Sequence, residues 1–291
     1  VSVEFAYLEA RLARGLGVRG GLLLVPMGWI NERHEPPTFL SVRRPETEQR
    51  IIPSTWRENG LGLFGDVGPA SFRVYLLTGF DAVGDRGSAA SGFSAGGLRG
   101  GRQNGARALA EDWAGAARVD VTPVPAVTVG AAAWLGQAGQ NAAIPGGTLG
   151  ARTFIGDGHV EVRAAGFQLR GLAAVATVDQ AAEINALRGL TGTASVGQRL
   201  AGWYVEAGYD VLRHVRTAHQ LMPFARYESL NTQDEVPDGF AADPANDLDV
   251  VTLGGAWKPL PQIAVKLDYQ IRRNEARTGV NQLGVALGYL F

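Results

Sequence analysis

The chain has 291 residues, a formal net charge of −1, 46% hydrophobic residues and a mean hydropathy of −0.01. That balance gives no electrostatic reason to bind nucleic acid, the lack of cysteine removes disulfides and thiolate metal sites, and no run reaches the ~18 unbroken apolar residues of a membrane helix. Forty glycines, about twice the ordinary share, many of them inside apolar runs, disfavour helices and leave strands.

In chain order, Val1-Ser2-Val3-Glu4-Phe5 opens without an initiator Met or a signal peptide, as expected of a mature or truncated form. Segment 1–12 sets Val3, Phe5 and Tyr7 on one parity, expected to face outward; Glu9 and Arg11 break it, as a β-bulge or a misplaced boundary would. Segments near 18–26 and 56–65 follow. Phe72, Val74, Leu76, Thr78 and Phe80 then oppose Arg73, Tyr75, Leu77 and Asp81. After segments at 113–121 and 126–136, Val160 and Val162 oppose His159, Glu161 and Arg163. Beyond 166–177, Trp203, Val205, Ala207, Tyr209 and Val211 oppose Tyr204, Glu206, Gly208 and Asp210. Segments at 221–230 and 248–258 lead to the clearest one, where Ile263, Val265, Leu267, Tyr269 and Ile271 oppose Lys266, Asp268, Gln270 and Arg272. In the last segment, 279–291, Leu283, Val285, Leu287, Tyr289 and Phe291 oppose Gly284, Ala286 and Gly288. Period two marks a strand, and these make about thirteen, most near the ~9–11 residues that a tilted strand needs to cross a bilayer.

Strands with one apolar face and one polar or small face suit a wall between lipid and water, and such a wall averages to neutral hydropathy. The predicted fold is all-β: a single transmembrane, antiparallel, up-and-down β-barrel. Its connections at 14–17, 66–70, 122–125, 164–166 and 258–261 are tight and rich in Gly and Pro. Those at 27–55, 82–112, 137–157, 178–196 and 231–247 are long, 213–220 is intermediate, and 181–187 reads as a short helix. With the C-terminus in the periplasm, every short turn is periplasmic and every long loop external, the expected asymmetry. Because thirteen is odd, at least one strand is expected to be missing before Val1 or miscounted, for a total of about fourteen to sixteen.

The inward parity collects candidate pore-lining residues Arg19, Arg73, Arg118, Glu161, Arg163, Arg170, Glu206, Arg226, Glu228, Lys266, Asp268 and Arg272. With Glu58, Asp81, Asp120 and Asp210 on the same parity the signs balance, eight against eight, which keeps a pore wet without choosing anions or cations; the plainer role is pairing across strands. Segment 27–55 carries Pro36, Pro37, Pro45 and Pro53, with Arg33, His34, Glu35, Arg43, Arg44 and Arg50 between them. Proline lowers the entropy of an irregular segment, so it is a candidate constriction loop or a rigid cap over the mouth.

No catalytic residue, metal site or cofactor is expected. Gly92-Phe93-Ser94-Ala95-Gly96 matches a nucleophile elbow but lies in a Gly/Ser/Arg tract without the flanking strand and helix. Two G-x-G-x-x-G runs, from Gly15 and from Gly60, open no helix. The four histidines lack metal-ligand spacing.

The run Arg19-Gly20-Gly21-Leu22-Leu23-Leu24-Val25-Pro26-Met27-Gly28, with Arg44-Pro45-Glu46, Ile52-Pro53-Ser54-Thr55 and the stretch from Arg57 to Gly65, resembles the phosphate-selective porin family, with Met27 in place of the usual aromatic. The terminal Phe291, two places after Tyr289, is similar to the C-terminal signature of bacterial outer-membrane barrels. The resemblance implies a non-enzymatic channel in a Gram-negative outer membrane for small hydrophilic solutes or ions, anions such as phosphate among them. It also implies contact with lipid and lipopolysaccharide, and a homotrimer. The alternatives are a barrel with a plugged lumen that binds a partner, and an outer-membrane hydrolase.

Overall fold

The computed structural model describes residues 3–85 and 87–290; Phe291, expected on the outward face of the last strand, lies outside them. The strands are β1 (Ala6–Ala13), β2 (Leu16–Leu24), β3 (Arg57–Val67), β4 (Ala70–Thr78), β5 (Trp113–Val124) and β6 (Val127–Gly136). A two-residue hairpin follows, β7 (Ala143–Ile144) with β8 (Gly147–Thr148). Then come β9 (Thr153–Ala164), β10 (Phe167–Val178), β11 (Arg199–Tyr209), β12 (Gln220–Glu235), β13 (Asp247–Leu260), β14 (Ile263–Asn274) and β15 (Gln282–Tyr289). Apart from the hairpin, each strand pairs with the next, giving a 13-stranded sheet in which β6 pairs β9 directly. Every pairing is antiparallel, the up-and-down wall of a β-barrel that the alternation predicts.

Two loops are shorter than expected: β9 begins at Thr153, inside the predicted 137–157 loop, and β12 runs on to Glu235. The helix expected at 181–187 is α2 (Ala181–Arg188), closed by Gly189 at φ 64°. A second, one-turn helix, α1 (Thr47–Arg50), sits in the 27–55 segment. The tight end is built by turn chemistry. Ala165 and Gly166 join β9 to β10 at φ 51° and 84°, and two consecutive positive angles match the twist of a two-residue hairpin.

The two faces differ as the alternation requires. On β14, Leu267 and Tyr269 are 54% and 43% exposed, whereas Lys266 and Asp268 are both 2% exposed. The same contrast runs along β5, β10, β11 and β12. Cross-strand partners share a face, so one register error would turn a whole charged row into the apolar band.

Two facings depart from expectation, and Thr78, at the end of β4, is buried with its hydroxyl donating to Glu58 (3.3 Å). Phe5 and Tyr7 line an inner cavity with Leu23, Glu32 and Tyr75 rather than facing outward. Tyr7 sits 4.9 Å from the Arg19 guanidinium, and Glu9, on the same parity, forms a 2.7 Å ion pair with it. The cation fixes the facing; the bulge comes later, between Arg11 and Ala13. Phe80 is the second case. It lies past the end of β4 and is fully buried in an interior aromatic group.

Leu267→Arg, near the middle of the outward band, is expected to destabilise the folded protein by about 2–4 kcal/mol. Urea unfolding in lipid vesicles checks this, and an unchanged midpoint would reverse the assigned facing.

Candidate functional site

Segment 27–55 leaves β2, runs across the inward face of the sheet and returns to β3. Asn31 ties its two ends: Nδ2 donates to the carbonyls of Val25 (2.7 Å) and Trp56 (2.8 Å), and Oδ1 accepts from Trp56 N (2.7 Å). Gly28 starts the excursion at φ 65°. Its N–H donates to Asp157 (3.0 Å), and its carbonyl accepts from Arg118. Ile30 N donates to Glu48 Oε2 (2.7 Å), while Tyr204 of β11 donates its hydroxyl to Glu48 Oε1 (2.6 Å). Burial holds the Glu48 carboxyl above the usual carboxylate range despite these donors.

The far part of the loop is held by β12, β14 and β15. Val42 N donates to Asp268 (2.6 Å) and Glu46 N to Glu228 (2.7 Å). Ser41 accepts from Arg226 at its hydroxyl (2.6 Å) and from Lys266 at its carbonyl (3.0 Å); the Lys266 ammonium also lies 3.6 Å from the Phe39 ring centre. Arg272 reaches Glu46 at 2.6 Å. The small inner residues of β15 make room for the loop. A Cβ at Gly288 would lie 2.3 Å from Pro36, and one at Gly284 would lie 3.1 Å from Val42.

The candidate pore-lining residues therefore stand on the inward face, and most are already partnered. Arg118, Glu161, Arg170, Glu206, Arg226, Glu228, Lys266 and Asp268 are buried. Arg226 bridges Glu228 (3.0 Å) and Glu206 (3.3 Å); Arg163 and Arg170 share Glu161 at 3.0 and 2.7 Å. Arg73 pairs with Glu32 of the loop at 3.1 Å, and Arg19 donates to Tyr75 at 3.2 Å. Among the candidate loop residues, His34 meets Asn31 O (2.8 Å) and Glu4 (2.9 Å), and Arg50 pairs with Glu46 (2.8 Å). Arg44 donates to Ser54 Oγ (3.3 Å) and His34 O (3.2 Å). Arg33 and Arg43 are exposed, and Glu35 is half-buried.

The inward face also holds residues outside the candidate sets. His159 lies between Asp157 (2.6 Å) and Asp120 (2.8 Å), and Asp120 pairs with Arg118 at 2.7 Å. Period two already places Arg118, Asp120 and His159 on inward positions, whereas Asp157 falls in the segment read as a loop, 137–157. Asn31, Glu48 and Trp29 lie in the irregular loop, where no period exists to mark them.

The long-loop end is packed. Trp56 stacks on Phe80 (4.5 Å, 10°), which also meets Trp134 at 4.7 Å and Phe93 at 5.4 Å. Arg99 and Arg102 both donate to Ser54 O, at 2.8 and 2.7 Å, and burial beside Arg99 lowers the Arg102 guanidinium to about 10. Ser94, of the discounted elbow motif, is exposed in this region. Among the described residues no group of three or more His, Asp or Glu is placed to hold a metal ion.

Gly28→Ala would set a Cβ 2.3 Å from Glu48 Oε2 at a left-handed backbone angle; a loss of about 1–3 kcal/mol is expected. Arg226→Ala would strand Glu206 and Glu228 in the interior and is expected to cost about 3–5 kcal/mol. Unfolding midpoints in detergent measure both, with Arg43→Ala, at an exposed loop position, as the neutral control.

The chain matches no protein-family model. It is 36% identical over 274 residues to an uncharacterized protein of Aquifex aeolicus (strain VF5), covering 92% of this chain and 61% of that protein. The chain thus spans about three fifths of its relative's length. OmpF of Salmonella typhi, solved in complex with daunomycin, superposes with a TM-score of 0.60 at 13% identity, over 97% of this chain and 88% of that one. OmpT of Vibrio cholerae, described as outer-membrane expressed, superposes with a TM-score of 0.56 at 12% identity, over 99% and 80%. At such identities the likeness concerns architecture, and the architecture is the porin-type β-barrel.

Proposed function

We propose that this protein is a non-enzymatic channel of a Gram-negative outer membrane, passing small hydrophilic solutes or ions through a water-filled barrel narrowed by segment 27–55. The observation that carries the reading is that segment: it crosses the inward face of a porin-type wall and is bonded on opposite sides to β9 and to β14. An apolar exterior supports residence in lipid, with lipopolysaccharide around the long loops. The chain forms one barrel domain. β1 and β15 run in the same direction in the strand order, so antiparallel closure takes an odd number of further strands, and a sixteen-strand total would take about three. Phosphate as solute and a homotrimeric assembly are extensions that the sequence resemblance suggests.

A second reading, favoured by the packed aromatic group at the long-loop end, is a plugged barrel that binds a partner through its loops. Planar-bilayer recording decides between them: stepwise ion current supports the channel, and its absence from correctly folded protein supports the plug. Arg272→Ala removes the 2.6 Å pair to Glu46 at the loop's far attachment. It is expected to raise single-channel conductance or its fluctuations, while an unchanged trace would take segment 27–55 out of the conducting path.

A further inference from the structure

Beneath the loop, at the short-turn end, a cavity of about 540 Å³ opens between segment 29–40 and the ends of β10, β12 and β13. That size falls within the ~300–1,000 Å³ of ordinary ligand pockets. Its polar lining is dominated by donors. Arg33, Arg163, Arg170 and Lys258 line it against one carboxylate, Asp210, which already accepts from the backbone N–H groups of Leu212 (3.1 Å) and Leu221 (3.3 Å). Arg163 and Arg170 share Glu161, whereas Arg33 and Lys258 join no ion pair among the described residues. Two unpaired cations beside a single carboxylate that is already hydrogen-bonded point to an anionic ligand. Ile30, Leu40 and Met222 add apolar surface to the wall.

We infer that this cavity binds small organic anions, the charged oxygens meeting Lys258 and Arg33, and a compact apolar body lying on Leu40 and Met222. The inference deepens the channel reading by naming a solute class and a site, and rests on that reading for its role in transport. Binding itself is measurable without current.

The test is titration calorimetry of the whole chain in nonionic detergent, with protein-free micelles subtracted, using pentanoate, inorganic phosphate and pentylammonium. Pentanoate is expected to bind saturably and more tightly than phosphate, and pentylammonium not at all. Lys258→Gln should weaken pentanoate about tenfold, as loss of a charged hydrogen bond does. Arg33→Gln, at an exposed loop position, reads the same charge should the Lys258 variant not fold. Equal binding of pentylammonium or phosphate, or unchanged affinity in both charge variants, overturns the assignment. A silent bilayer beside saturable pentanoate binding would remove the channel reading and leave the site standing.

Discussion

The fold depends on one constraint: a charge buried between this wall and the loop must find a partner, because the loop excludes water from it. Arg226 shows the rule at its strictest. Its guanidinium meets Glu228, Glu206 and the Ser41 hydroxyl and has almost no exposure. A lone buried ion costs several kcal/mol, and only good geometry with further hydrogen bonds offsets it. Wall and loop are therefore not separable: the wall supplies the charges, and the loop supplies the N–H, C=O and hydroxyl groups that complete them.

The same constraint explains the composition of the two sides. Outward positions carry Val, Leu, Trp and Tyr singly exposed; inward positions carry charge where the loop brings polar groups and glycine where it brings bulk. β15 is the clearest case. Pro36 and Val42 come so close to Gly288 and Gly284 that a side chain at either position would push the loop away. What reads in the sequence as a strand with a small inner face is a seat for a distant segment.

Strand parity made the wall legible in the sequence. Thirteen predicted segments correspond to thirteen paired strands, and even α2 lies where it was expected. Period two depends only on alternating local environments, so it survives without knowledge of the tertiary structure. It fails where the partner, rather than lipid, sets the facing. Tyr7 turns inward where Arg19 offers a cation to its ring, and Phe5 lies beside Tyr7 at 6.0 Å; Phe80 turns inward because Trp56 and Trp134 stack against it. The loop's bonds were out of reach for a related reason. Glu48 and Tyr204 are 156 positions apart, and nothing local to either residue marks the other. The charged residues named as pore-lining stand on the predicted face, but composition alone could not say how many are already taken up by neighbours.

The bonds that seat the loop join very distant parts of the chain. Val42 reaches Asp268 across 226 positions, and Glu46 reaches Glu228 across 182. Contacts so remote cannot form until the sheet has curled far enough to bring β14 opposite β2, so docking of this segment belongs to the closing steps of assembly. Until then Arg226 and Lys266 lack the Ser41 groups that later satisfy them, and the unfinished wall holds both charges against water.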